Sequence, residues 1–160
     1  WRSLPTGWWL YVKEHTNAIG DRPPAFFRTL QRLPQVAVLD ERIPAGTLIG
    51  HARAVFTVSG TVAYEAAQRG VAAFTFAPMF FNAYPRCRRI TLDDLREAGD
   101  MRQLIDALPA HSAEAADTVQ GMVLQRSFPG RFTDVYTDPT VLEPGNVQDV
   151  VEAFARVVSR

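Results

Sequence analysis

The stretch from Ala54 to Phe76, AVFTVSGTVAYEAAQRGVAAFTF, constrains the fold more than any other part of the chain. Ala54–Val58 is a short β-branched and aromatic run, and Ser59-Gly60-Thr61 is a turn of small residues. Val62–Arg69 has helical spacing, Gly70 stops it, and Val71–Phe76 is apolar again. The order is strand, tight turn, helix, strand, the βαβ unit that joins two parallel strands. A helix start has unpaired amides with partial positive charge, so the Ser59-Gly60-Thr61 turn is a place to hold an anion such as phosphate. Glu65 follows one turn later, where a carboxylate accepts two hydrogen bonds from a vicinal diol such as a ribose. The same residues also suit an ordinary turn with a Ser or Thr cap and a solvated helix carboxylate. Ala63, Ala66 and Ala67 indicate close packing of this helix, which makes an inward carboxylate a costly placement. Neither GxxxxGK[ST] nor GxGxxG is present.

The flanking segments extend the pattern. Trp8–Lys13 reads as a first strand, apolar enough to be buried on both faces. Pro23-Pro24 starts a helix over Ala25–Leu33, with Phe26, Phe27, Leu30 and Leu33 on one face, and Pro34 ends it. Val36–Leu39 is a second strand, and Pro44 opens a short helix over Thr47–Arg53. Ala77–Tyr84 reads as irregular and aromatic-rich, and Cys87–Ile90 as a short edge strand. Thr91 is an N-cap for a helix at Leu92–Ala98, with Asp93 and Asp94 in its first turn. Met101–Leu108 is another helix, and Ser112 caps one that reaches about Gln125. Phe128–Pro144 is a proline-rich loop. Asn146 is expected to cap a last helix with Val147, Val150, Val151, Phe154, Val157 and Val158 on a face that docks on something apolar. Strands alternating with helices, then helices alone, indicate an α/β fold: a Rossmann-like parallel sheet with flanking helices and a helical C-terminal cluster.

The 160 residues suffice for one domain with a sizeable core. The 17 basic and 17 acidic side chains cancel, which argues against nucleic-acid binding by bulk electrostatics. Arg86, Arg88 and Arg89 still form a local basic group. The single cysteine, Cys87, allows no internal disulfide, so a reducing cytoplasmic setting is expected. No apolar run reaches the length of a membrane span. The chain lacks an initial Met and enters a strand almost at once, so it reads as a fragment of a longer protein.

Such sheets bind ligands at the carboxyl ends of their strands. Three of these ends carry polar chemistry: Lys13-Glu14-His15, Asp40-Glu41 and Ser59-Gly60-Thr61. If the first and third strands are neighbours or near-neighbours, Lys13 and His15 face the Ser59 turn. Lys13 would then give a point charge to a phosphate, and His15 a donor or acid near a leaving phosphate. A solvated loop is the simpler account of both. His51 and His111 read as structural or solvent-facing, and no Cys/His spacing supports a metal. Asp93-Asp94 reads as a helix-start pair. Cys87 reads as structural, although three nearby arginines would favour its thiolate.

The succession of strand–Lys-x-His, a strand with an acidic end, and strand–Ser-Gly-Thr–helix with Glu-Ala and a later Gly resembles the capsule polysaccharide synthesis proteins. The resemblance covers about residues 8–80. These are bacterial glycosyltransferases, many using CMP-activated Kdo. It implies one half of a GT-B fold: residues 1–160 would be a single nucleotide-sugar-binding domain of a two-domain enzyme, its N-terminal domain supplying the acceptor-activating carboxylate. His15 matches the histidine of the family's Lys-x-His-Pro motif, with Thr16 in place of the proline, and is the implied catalytic residue, contacting the donor phosphate. Ser59, Gly60 and Thr61 match the Gly-Thr turn, and Glu65 the ribose-holding glutamate. Thr57 stands where the related pattern of paired glutamates has its first. No cofactor beyond the nucleotide sugar is implied, and contact with the cytoplasmic membrane face would come through the acceptor. A polyol-phosphate transferase, a UDP-sugar 2-epimerase and a non-catalytic α/β interaction module are the alternatives.

Overall fold

A computed structural model describes residues 1–15, 18, 20–133, 135 and 138–159. The described chain has mixed α/β content and forms two compact units, Trp1–Ala116 and Asp117–Arg160. Among the described residues the first holds five strands in two parallel sheets. Strands β1 (Leu10–Val12) and β2 (Val36–Val38) pair with each other, and β3 (Ala54–Thr57), β4 (Ala72–Thr75) and β5 (Cys87–Arg89) form a three-stranded sheet with β4 in the middle. The Rossmann-like α/β expectation holds.

Helix α1 (Pro24–Gln31) begins at Pro24, whose ring fits a first helical position. Helix α2 (Ala45–Ile49) follows Pro44, and α3 (Val62–Gln68) crosses from β3 to β4. Helix α4 (Leu92–Glu97) starts at a capping box: Thr91 Oγ1 accepts from the Asp94 amide, and the Asp94 carboxylate accepts from the Thr91 amide at 2.6 Å. Asp93 and Asp94 thus serve the helix start. Helix α5 (Met101–Asp106) is capped by Asp100.

The core lies around β4, all four of whose residues are buried. Ala72 and Phe74 join Ile90, Leu104 and Leu108, with Leu95, Met101 and Ile105 packed against them. Phe74 also stacks on Phe56 of β3, ring centroids 4.9 Å apart. Ala73 and Thr75 point the other way by strand alternation. Helix α3 packs on β3 and β4 through its buried Ala63, Ala66 and Ala67. Small side chains let this helix approach the sheet closely.

Strand β1 departs from its expectation. Trp9 and Tyr11 are 55% and 60% exposed, so the apolar run is not buried on both faces. Among the described residues its sheet has two strands, and the side chains of Trp9 and Tyr11 are left exposed on it.

In the second unit, α6 (Ala113–Gln125, beginning in the first) leads to a 3₁₀ turn at Pro139–Leu142 and to α7 (Pro144–Val158). Asn146 does not cap α7, which starts at Pro144 with Glu143 before it. Its amide instead ties the preceding loop: Nδ2 donates to Arg131 O and Val141 O at 2.9 and 2.8 Å, and Oδ1 accepts from the Arg131 amide. Val147, Val151, Phe154, Val157 and Val158 are exposed.

Gly70 closes α3 with φ +75°, and a Cβ there would lie 2.7 Å from the His111 ring. Gly70→Ala should therefore lower stability by about 1–3 kcal/mol in urea denaturation, part from the backbone and part from the clash. Adding His111→Ala should recover the steric part and leave the backbone part.

Candidate functional site

The carboxyl ends of β1 and β2 leave their ladder together, because the Leu39 amide donates to Val12 O at 2.8 Å. Lys13, Glu14 and His15 follow β1, and Asp40 and Glu41 follow β2. Lys13, Glu14 and Asp40 each already have a hydrogen-bond partner nearby. Lys13 Nζ donates to the Glu14 carbonyl at 3.1 Å, and Glu14 pairs with Arg22 at 2.8 Å. Arg42 grips Asp40 through both its backbone amide and its guanidinium. Those hydrogen bonds hold the Asp40 carboxyl well below the usual carboxylate range, with a smaller pull from Lys13. The same pair pushes Arg42 upward. His15 is exposed at the loop's start, and Thr16 lies outside the described residues.

The β3–α3 turn is built differently. Thr57 Oγ1 accepts the Gly60 amide at 3.1 Å, and a Cβ on residue 60 would lie only 2.8 Å from that oxygen. Gly60 is required by close approach. Thr61 stands before the helix with helical backbone angles and no side-chain cap. Neither Ser59 nor Thr61 therefore acts as the expected cap, and the hydroxyl that organises the turn belongs to Thr57, through a local side-chain-to-backbone bond. Ser59 and Thr61 are exposed, and among the described residues their hydroxyls make no hydrogen bond. The Glu65 side chain, one turn on, is half-buried with no hydrogen bond or ion pair among the described residues.

The loop after β4 runs alongside this turn. The Phe76 and Ala77 amides both donate to Val58 O, at 3.2 and 2.9 Å. Thr75, fully buried, donates to Ala77 O at 2.8 Å and accepts from Asn82 Nδ2 at 3.0 Å. Asn82 Oδ1 accepts the Met79 amide, and its Nδ2 also lies 3.4 Å from Cys87 Sγ. Residues 80–83 form a 3₁₀ turn where an irregular loop was expected. Burial pushes the Cys87 thiol up, partly offset by Asn82, so it is the structural cysteine anticipated and not a thiolate activated by arginine. Arg86 is spent on the Gly70 and Pro109 carbonyls, and Arg88 lies over the Phe74 ring.

The structure thus brings Ser59, Gly60, Thr61 and Glu65 into one turn and its helix, and Lys13 near Asp40. Among the described residues strand β1 has no ladder with β3, so the two are not hydrogen-bonded neighbours in one sheet. His51, just past α2, is exposed, and His111 rests its ring on Gly70. Among the described residues no group of three or more His, Cys, Asp or Glu is arranged to hold a metal, and no helix is long and apolar enough to cross a membrane. Sequence reasoning missed Thr57 and Asn82. The Thr-x-x-Gly spacing was the available signal for the first.

Thr57→Val should unpair the Gly60 amide and cost about 1 kcal/mol, while Thr57→Ser keeps the acceptor and the stability; chemical denaturation distinguishes them. Acid should also weaken the fold. Asp40, Asp94, Asp100 and Asp138 are all held below their ordinary values by hydrogen bonds, so their contribution is complete above the unfolded value near 4 and is lost as pH falls through the folded values. Melting temperature should be flat from about pH 7 to 5 and fall below about 4. In comparisons with known proteins, no family model, no curated protein and no solved structure matches this chain.

Proposed function

We propose that this chain is the nucleotide-sugar-binding part of a glycosyltransferase of bacterial surface polysaccharide, one half of a GT-B enzyme working at the cytoplasmic face. The observation that carries the reading is the β3–α3 turn. At the carboxyl end of a parallel strand it offers a helix start, two hydroxyls and, one turn in, a half-buried carboxylate, all three side chains without a partner among the described residues. Hydroxyls and amides at such a point suit phosphate oxygens, and a free carboxylate suits the two hydroxyls of a ribose. The resemblance to capsule polysaccharide synthesis proteins rests on these same residues.

In the reaction an acceptor hydroxyl attacks the anomeric carbon of the donor sugar. The bond from that carbon to the phosphate oxygen breaks, and the phosphate leaves with the electron pair. This domain's contribution is electrostatic: donors around the leaving phosphate stabilise the charge that grows on it. His15, helped by Lys13, is the residue assigned to that phosphate. The acceptor's proton goes to a base supplied by the partner domain. CMP-Kdo is the donor that the resemblance favours.

A second reading has its own observation, the exposed apolar stripe of α7, and would make the chain an interaction module. Thermal unfolding in the presence of CMP, UMP, AMP and GMP separates the two. The donor reading expects at least one nucleotide to raise the melting temperature, and Glu65→Ala and His15→Ala each to shrink that shift. A flat panel, together with a self-associated species in size-exclusion chromatography, favours the interaction module. With the full-length enzyme, release of a nucleoside monophosphate marks the transferase, and an inverted substrate sugar marks a 2-epimerase.

A further inference from the structure

Phe80 packs against two rings in a position that leaves its own ring largely exposed. It is 59% exposed, while its neighbours Phe81 and Tyr84 are buried. The loop that carries it is pinned from within, with Asn82 taking the Met79 amide and reaching back to the buried Thr75 hydroxyl. The ring is braced edge-on by Phe81, centroids 5.1 Å apart, and tilted against Tyr64 at 5.9 Å. Exposing an aromatic ring forgoes the gain of burying it, and fixing it removes the freedom that would compensate. A ring fixed in this way loses little entropy when a ligand covers it.

Its surroundings say what would cover it. The same loop begins on Val58 O, directly before Ser59, and Tyr64 is the residue before Glu65 on α3. The carboxyl ends of β3 and β4 therefore lead to the Ser59 and Thr61 hydroxyls and to the braced Phe80 ring, and α3, which touches that ring through Tyr64, carries the Glu65 carboxylate. A ligand matching all three has an anionic group, a diol and a flat ring. We infer that Phe80 is the stacking platform for the base of a bound nucleotide, whose phosphate and ribose lie toward Ser59–Thr61 and Glu65. The inference rests on the nucleotide-sugar reading and adds to it where the base sits. Stacking is tolerant of base identity, so Phe80 contributes affinity for any nucleotide and does not select among bases.

The test is calorimetric titration of the chain with CMP and with ribose 5-phosphate, in the wild type and in Phe80→Ala and Phe80→Trp. CMP should bind the wild type more tightly than ribose 5-phosphate does. Phe80→Ala should weaken CMP roughly 5- to 100-fold and leave ribose 5-phosphate unchanged, and Phe80→Trp should retain CMP binding. Melting temperatures of both variants check the fold. Equal loss of both ligands in Phe80→Ala, or no loss of CMP, overturns the stacking role while the nucleotide site stands. Failure of every nucleotide in the panel to bind the wild type overturns the site and the platform together.

Discussion

Strand β4 is the element on which the first unit depends. Ala72, Ala73, Phe74 and Thr75 are all buried, with β3 on one side and β5 on the other. A strand without an open face must place every side chain in a packed layer. Phe74 meets this by stacking on Phe56 and by joining Ile90, Leu104 and Leu108. Thr75 is a fully buried polar side chain and has to be hydrogen-bonded. Its partners are Ala77 O and Asn82, both in the loop at the carboxyl edge. Burial in the core and the shape of that loop are therefore one constraint. A change that unpaired Thr75 would be felt at Phe80 as much as in the sheet.

The neighbouring strand ends in the same way. Thr57 pairs in register with Thr75, and its hydroxyl also turns onto the following segment, taking the Gly60 amide. Two adjacent parallel strands thus close their carboxyl ends with threonines that organise the next loop. This has a chemical consequence. Because Thr57 orders the turn from the strand side, Ser59 and Thr61 are not needed as caps and keep their hydroxyls. A capping serine would have spent its oxygen on the helix.

The sequence carried the βαβ unit plainly, because Gly70, the apolar runs and the alanine-rich helix agree on one local structure. Thr91 and Asp94 were legible for the same reason, as a capping box lies within four residues. What was not legible depends on partners known only once the chain is folded. Asn146 reads as a cap by type and position, yet its amide reaches fifteen residues back to Arg131. Asn82 sits in what reads as irregular chain, and its worth comes from Thr75 on the buried strand beside it. Trp8–Lys13 has the apolar run of a strand covered on both faces, and an apolar run does not say what covers it. Whether Lys13 and His15 join the Ser59 turn was a question of strand order, which periodicity does not encode.

The two strand-end groups differ in how ready they are for a ligand. At β1 and β2 the charged groups already have partners: Lys13 on the Glu14 carbonyl, and the ion pairs Glu14–Arg22 and Asp40–Arg42. Exposed pairs of this kind contribute little stability, typically about 0–1 kcal/mol each. They are correspondingly cheap to break. At β3 the side chains of Ser59, Thr61 and Glu65 have no partner among the described residues that a ligand would have to displace. A phosphate recognised here would first meet neutral donors and a helix start, and would gain a full positive charge only by drawing Lys13 off its carbonyl. The exchange is between two charge-assisted hydrogen bonds, since the Lys13 ammonium is the donor in both, and the gain lies in replacing a neutral carbonyl acceptor by an anion. Such a ligand would carry its own reason for bringing the β1 end toward the β3 turn, with binding energy from one group of residues organising the other.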